Sequence, residues 1–469
     1  MDATTRRLVD YTLGFAWADL TESARDLAVR HLADSLACAI AGYFTEPAQA
    51  AVRVASRVGS DTPVTVLGAG ITSAPAYGAF ANTVMVRALD WNDGMLARGG
   101  GHPSDLVAGL LAAAEVVGAS GVELLEAMTL SYEVLGALGN AAPVHERGWD
   151  QGTFMGVAAA LGIGRLYGLS ADQLANAVSI SIVPAIPLMV TRRGELSHWK
   201  GAATAAAILN ATNAVALARE GFTGPSEPFE GRHGVIEQVS GPLELSLPVY
   251  PDGPRVVELS HLKAYPAETH AQGLLGIVPE IRAWTAIEEI ASVEVEAYRI
   301  VYSEIGSHPS VWDPKTRETA DHSLPYLLAV AMVDGEVTLD SFRPERIADP
   351  ALRPLMAKIR IVEDPALTAN YRPPGLEIAG NPCVRITIRK TTGETFAREV
   401  TFPKGHFRNP LTREDIDAKL QKICAGVVKD DVRDEIRAAL WEVARAPDVR
   451  GLLALLGSFA ADGAARGTR

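Results

Sequence analysis

Ser246-Leu247-Pro248-Val249-Tyr250-Pro251-Asp252-Gly253-Pro254 divides the chain into two textures. Proline removes a backbone donor and fixes φ, so three prolines at this spacing stop any helix and read as a linker. Before it the sequence reads as helical. Thr21 to Gly42 carries Leu27, Leu32, Leu36 and Ile40 near helical spacing. Ser120-x-x-Glu123 and Ser170-x-x-Gln173 have the form of capping boxes, and Gly118, Gly168 and Gly221 stand where helices would stop. Alanine, the best helix former, dominates throughout. After the prolines, apolar and polar residues alternate. Ser292 to Tyr302 places Val293 and Val295 on one face and Glu294 and Glu296 on the other, and Lys358 to Val362 alternates too. Val384–Ile388 and Phe396–Val400 flank Lys390-Thr-Thr-Gly-Glu394, a hairpin signal. Helical stretches near His270–Trp284 and His322–Val333 lie between these strands. From Thr412-x-x-Asp415 onward the pattern is helical again through Leu456. The reading is a mainly α chain with an α+β lid: a helical domain over 1–260, an inserted α+β domain over 261–403, and a helical return over 404–469.

Bulk properties narrow the function. The 469 residues exceed one ordinary core, and the net charge of −13 argues against nucleic acid or an anionic membrane as the main partner. Cys38, Cys383 and Cys424 are widely spaced, with no CxxC or Cys/His cluster, so a zinc site or an iron–sulfur cluster is not expected. Reduced thiols and an N-terminus without an apolar signal core fit a cytoplasmic location. Two uncharged runs, Leu174–Thr191 and Gly201–Ala218, read as buried helices, because prolines interrupt the first and asparagines and threonines the second. Gly162-x-Gly164 follows helix and no strand, so it is no dinucleotide fingerprint.

Three polar clusters interrupt this apolar background. Asp90-Trp-Asn-Asp93 to His102-Pro-Ser-Asp105 brings three carboxylates, an imidazole and the triple glycine Gly99–Gly101 into one segment between helices. The glycines make it a flexible loop in which the His102 ring can be aimed, and Asp93 is expected beside the substrate. Thr191-Arg192-Arg193-Gly-Glu195-Leu-Ser197-His198-Trp-Lys200 joins the two apolar runs, with a helix start near Ser197. Lys263-Ala-Tyr265-Pro-Ala-Glu268-Thr-His270 stands at the domain junction, a place that favours ligands. His322 reads as part of a helix cap with Thr319 or Asp321, and His31 as packed or exposed without chemistry. Cations with acid–base groups suit a di- or tricarboxylate. Charge builds on an already anionic group when its α-proton leaves, and lysine or arginine at the carboxylate stabilises that charge. Dehydration, decarboxylation and epimerisation all use this equipment. A non-catalytic helical dimer that binds a polyanion is the reading from another class.

Together these motifs resemble the MmgE/PrpD family. The resemblance rests on Ala-Leu-Asp90-Trp-Asn-Asp93 with His102-Pro-Ser, Trp149-Asp150, Arg192-x-Gly-Glu195-Leu-Ser-x-Trp-Lys200-Gly, Arg219-Glu-Gly-Phe-Thr-Gly-Pro225, Tyr265-Pro-Ala-Glu268-x-His270 and Arg317-Glu-Thr-Ala-Asp-His322-Ser-Leu-Pro325. It covers nearly the whole chain. It implies a helical domain with an α+β lid, a homodimer, no metal and an active site between the domains. Asp90, His102, Lys200 and Lys263 match the family's active-site positions, and Tyr302 lies in a looser motif. The bacterial 2-methylcitrate dehydratase branch is nearest in motif, which implies cofactor-independent elimination of water from a hydroxy tricarboxylate. A cis-aconitate-type decarboxylase and an epimerase of a small polycarboxylate are the family's alternatives. In this reading Lys200, Lys263 and Arg192 bind substrate carboxylates. His102 is the general acid or base, Asp90 orients it or shares the proton traffic, and Glu268 and His270 shape the pocket. Gly94 stands where the family motif usually has threonine.

Overall fold

A computed structural model describes residues 1–372, 378 and 380–460. The chain forms two compact units. The first comprises Met1–Met189, Gly201–Ser260 and the described residues from Thr412 on, and the second comprises Val190–Lys200 and His261–Leu411.

The first unit is built of helices, chiefly Glu22–Gly42, Pro75–Arg87, Val107–Val117, Gly121–Ala141, Met155–Leu166, Ala171–Ile182 and most of Trp199–Arg219. Helices that are apolar on every side must be buried on every side. The inner ones are, with Leu110, Leu124, Leu130, Val157 and Leu161 all sealed from solvent. Small residues set how closely the axes approach. A Cβ on Gly42 would lie 1.8 Å from the Met85 carbonyl oxygen, and one on Gly162 would lie 2.1 Å from Ser131 Oγ. Both capping boxes form as their sequences predict, at Ser120 with Glu123 and at Ser170 with Gln173. Gly118 closes its helix in the left-handed region at φ 67°. Of the two uncharged runs, expected as buried helices, the first forms the short helix Ala171–Ile182 and then a partly exposed stretch that ends in the 3-10 turn Met189–Arg192, because Pro184 and Pro187 stop the helix. The second is long and apolar enough to cross a membrane, with 67% of its apolar window inside the fold.

Two features of this unit depart from expectation. A two-stranded antiparallel hairpin, β1 (Val64–Val66) and β2 (Ile71–Ser73), interrupts the helices. Its strands are too short to establish a period-2 pattern. The proline-rich stretch is also not a loose linker. The buried Glu133 carboxylate accepts the N–H groups of Val249 and Val256, both at 2.8 Å, so the stretch is strapped to helix Gly121–Ala141. The chain then leaves for the second unit after Ser260.

The helical return follows another capping box, Thr412 with Asp415, and comprises Arg413–Cys424, Asp430–Trp441 and Arg450–Ser458. Lys419 anchors it. Its ammonium is buried and donates to Asp34 Oδ1 at 2.6 Å and to the Trp91 carbonyl at 2.7 Å.

The second unit holds a four-stranded mixed sheet of order β4-β3-β5-β6, with β3 Ile290–Ala297, β4 Ile359–Glu363, β5 Val384–Lys390 and β6 Thr395–Val400. β3 pairs parallel with β4 and antiparallel with β5, and β5 turns into β6 through Gly393 at φ 94°. Val293, Val295, Ile386 and Ile388 are buried on one face, while Glu294 is exposed. The parallel pair needs a long crossover, which contains the buried helix Leu324–Asp334. The alternation stops at Ala297, short of Tyr302, because the chain coils into a π-helical turn over Val301–Gly306.

Two stretches fall differently from the expected division. Residues 190–200 cluster with the second unit, because Leu196 N–H donates to Thr319 Oγ1 and Thr316 Oγ1 donates to the Leu196 carbonyl. Residues 404–411 stay there too, with Leu262 N–H on the Gly405 carbonyl. All three cysteines are buried and unpaired with one another, and burial pushes the Cys424 thiol up to about 12.

Removing one partner of a buried ion pair strands the other charge in a poorly solvating interior. Lys419→Ala should therefore cost about 3–5 kcal/mol of stability in urea unfolding, and Lys419→Met with Asp34→Leu should recover part of that loss. A cost for Lys419→Ala no larger than that of an exposed lysine would show that the pair does not anchor the return.

Candidate functional site

The Asp90–Asp105 segment belongs to the first unit, and it is buried despite its polarity. Helix Pro75–Arg87 ends at Ala88, and the chain turns sharply at Asp90, which adopts a left-handed φ of 51°. For a residue with a Cβ this conformation is sparsely populated, and aspartate tolerates it better than most. The Arg87 guanidinium, 1% exposed, holds Asp90 Oδ1 at 3.1 Å and lies 3.9 Å from Asp105 Oδ2. Arg87 was legible in the sequence only as a cation three positions before Asp90, a spacing at which helical side chains meet.

Asp93 is the centre of the segment. Its Oδ1 accepts Ser104 N–H at 2.9 Å and the Ser104 hydroxyl at 2.6 Å. Its Oδ2 accepts the Tyr132 hydroxyl at 2.9 Å and faces His31 Nδ1 at 3.0 Å. Burial alone would raise this carboxyl, but the His31 ring and the Ser104 donors outweigh it and hold it below the usual range. An ionised carboxylate can only accept, so His31 Nδ1 carries a proton. Burial, with Asp93 beside it, keeps the Tyr132 phenol protonated. Both oxygens of Asp93 therefore serve protein donors. His31, read as lacking chemistry, is one of those donors.

His102 is half-buried, and its Nδ1 lies 2.5 Å from the Asp93 main-chain oxygen. A carbonyl cannot donate, so Nδ1 carries the proton, and in the neutral ring Nε2 is the basic nitrogen. The triple glycine, expected from sequence as a flexible element, also packs closely at Gly99. Gly99 N–H donates to the Gly139 carbonyl at 2.6 Å, and a Cβ there would meet that oxygen at 2.9 Å. Met95 N–H closes the loop on the Gly101 carbonyl at 2.9 Å. Here glycine allows close approach to helix Gly121–Ala141.

The other expected residues belong to the second unit, where they form two groups. Lys200 is 1% exposed, and its ammonium donates to Asp321 Oδ1 at 2.7 Å. His322 Nδ1 lies 2.7 Å from the same oxygen and 3.3 Å from Lys200 Nζ. Capping falls to Thr316 and Ser323, so His322 is no cap as expected, and its ring joins the lysine and aspartate. Arg192 Nη1 donates to the Lys200 carbonyl at 3.2 Å and braces this turn, while Arg193 pairs with Glu304.

The second group surrounds His270. The Glu268 carboxylate accepts His270 N–H at 2.6 Å, and His270 Nδ1 contacts the Tyr298 hydroxyl at 2.5 Å. Tyr298 stacks on Tyr371 with ring centroids 4.2 Å apart. Burial, with the charges of Arg372 and Lys263 and against that of Glu304, pushes His270 down to about 3, so it is neutral near pH 7. Lys263 is fully buried, and Tyr302 is 39% exposed on its π-helical turn. Tyr298 and Tyr371 were missed in the sequence because an isolated tyrosine carries no spacing signal.

Comparison with known proteins divides the chain near the same point, between residues 248 and 265, although the second family match runs on into the helical return. The family model for the MmgE/PrpD N-terminal domain matches residues 6–248, and that for the MmgE/PrpD C-terminal domain matches residues 265–443. A protein named 2-methylcitrate dehydratase from Cupriavidus necator is 28% identical over 71% of this chain and 72% of its own length. Another of that name from Escherichia coli K12 is 27% identical over 86% of this chain and 85% of its own. A cis-aconitate decarboxylase-like protein, oryM, from Aspergillus oryzae is 26% identical over 94% and 93%. With both domain models matched in order across most of its length, the chain belongs to the MmgE/PrpD family.

Proposed function

We propose that this protein is a lyase that eliminates water from a hydroxy tricarboxylate, with 2-methylcitrate as its substrate and no metal in the reaction. Family membership and the names of the dehydratases it resembles support the reaction class. The observation that carries the chemistry is the His102 ring, whose Nδ1 proton is held by the Asp93 carbonyl so that Nε2 is the basic nitrogen. In this reading Nε2 takes the proton α to a carboxylate, the carbon–oxygen bond to the hydroxyl breaks, and the hydroxyl leaves as water after protonation. Asp90, held by Arg87, shares the proton traffic. Lys200, Lys263 and Arg192 supply the positive charge that an enolate-like carboxylate needs. Asp321 and His322 orient the Lys200 ammonium. Glu268, the neutral His270 and Tyr302 shape the substrate's surroundings. The working form is a homodimer in the cytoplasm.

A second reading is supported by the cis-aconitate decarboxylase-like relative, which aligns with 94% of the chain. A carbanion next to a carboxylate can arise by loss of carbon dioxide as well as by loss of a proton, so the same cations serve both.

Purified protein should convert 2-methylcitrate to an unsaturated tricarboxylate, unaffected by EDTA, with proton NMR in heavy water following the product. Release of carbon dioxide from cis-aconitate would favour the second reading, and no turnover of 2-methylcitrate, citrate or cis-aconitate would sink both. His102→Ala should lower kcat by roughly 10²–10⁴-fold, the usual contribution of a positioned acid–base group. A kcat within about threefold of the parent would remove His102 from the mechanism.

His270 makes stability depend on pH with a defined sign. Its folded value of about 3 lies below the ordinary 6.5, so between these values the unfolded chain binds the proton and the folded chain does not. Its contribution is complete above pH 6.5 and is lost as the pH falls toward 3. His270→Asn should therefore flatten unfolding free energy against pH in this window by about 1.4 kcal/mol per pH unit. Parallel curves for the two proteins would contradict the buried neutral assignment.

A further inference from the structure

Asp93 joins two layers of the first unit. Its main-chain carbonyl receives the His102 Nδ1 proton, and Ser104, two residues beyond His102, donates twice to its Oδ1. Its Oδ2 is held from outside the loop, by His31 in helix Glu22–Gly42 and by Tyr132 in helix Gly121–Ala141. Both side chains are buried, at 1% and 0% exposure, and their rings meet edge to face with centroids 5.7 Å apart. The nearby charges are already engaged, with Asp34 on Lys419 and Asp105 beside Arg87. A peptide clamped at its side chain by two packed helices cannot turn its carbonyl, and the direction of that carbonyl sets the imidazole.

We propose that His31 and Tyr132 are positioning residues for His102, acting through Asp93, and that they keep the His102 proton on Nδ1 and its basic nitrogen at Nε2. The inference rests on the reading of His102 as the proton-transfer group. Removing either donor leaves an ionised carboxylate in the core short of a partner, so the side chain shifts to recover one and the loop peptide moves with it. Without a fixed carbonyl, both neutral tautomers of His102 become populated, and a fraction of the protein carries the proton on the wrong nitrogen.

The test compares Tyr132→Phe, His31→Leu and His31→Asn in the full-length protein. The asparagine amide keeps an N–H donor near the position of Nδ1, and the leucine does not. Histidine-labelled protein reports the tautomer through long-range ¹⁵N–¹H correlations, with the His102 signals assigned by their loss in His102→Ala. Tyr132→Phe and His31→Leu should move His102 from a pure Nδ1–H pattern to an averaged one. They should also lower kcat by roughly tenfold to a hundredfold, by analogy with the loss of partners that orient metal-bound histidines, with KM little changed. His31→Asn should restore both the parental pattern and most of the rate. An unchanged Nδ1–H pattern in Tyr132→Phe and in whichever His31 variants fold would overturn the proposal, as would an averaged pattern in the parent protein. The tautomer is read without substrate. A protein that turns over no tricarboxylate but shows these shifts refutes the proposed reaction and leaves the positioning role standing.

Discussion

A carboxylate without solvent must be surrounded by donors, and Asp93 meets that requirement with four: two from Ser104, one from His31 and one from Tyr132. Each hydrogen bond to a charged group contributes about 1.5–3 kcal/mol, while stranding a buried charge by removing its partner costs about 3–5 kcal/mol. The arrangement is therefore close to all-or-none. It fixes two long helices, the Ser104 turn and the Asp93 peptide relative to one another, and the His102 ring takes its orientation from that peptide. The helical frame and the candidate chemistry of the first unit depend on the same buried charge.

The second unit uses the same device on a smaller scale. Asp321 Oδ1 collects the Lys200 ammonium and the His322 ring, and the Arg192 guanidinium braces the turn from which Lys200 emerges. Around His270 the solution is the opposite. A ring enclosed by Tyr298, Tyr371 and Glu268 stays neutral because protonating it would bury a charge beside Arg372 and Lys263. Asp321 is thus a buried anion stabilised by donors, and His270 avoids becoming a buried cation by keeping the proton off.

Local chemistry made much of the fold legible. Capping boxes at Ser120, Ser170 and Thr412 work through side chains three residues apart, so they can be read without tertiary knowledge. The β5–β6 hairpin announced itself by alternation and a glycine turn. The β1–β2 hairpin did not, because three-residue strands carry no period. The proline-rich stretch looked like a linker because nothing local reveals that Glu133, more than a hundred residues earlier, receives its backbone donors.

The candidate residues divide in the same way. Dense polar groups between apolar helices singled out the segments that hold Asp90, Asp93, His102, Lys200, Lys263 and His270, and the family resemblance pointed to the residues within them. What each one does was decided by partners distant in sequence. Asp93 became an anchor through His31 and Tyr132, and His322 joined Lys200 through Asp321. Within the triple glycine, Gly99 packs against Gly139. Periodicity and capping are short-range and survive in one dimension. The protonation and orientation of a buried group depend on which donors the fold brings within 3 Å, and only the tertiary structure decides that.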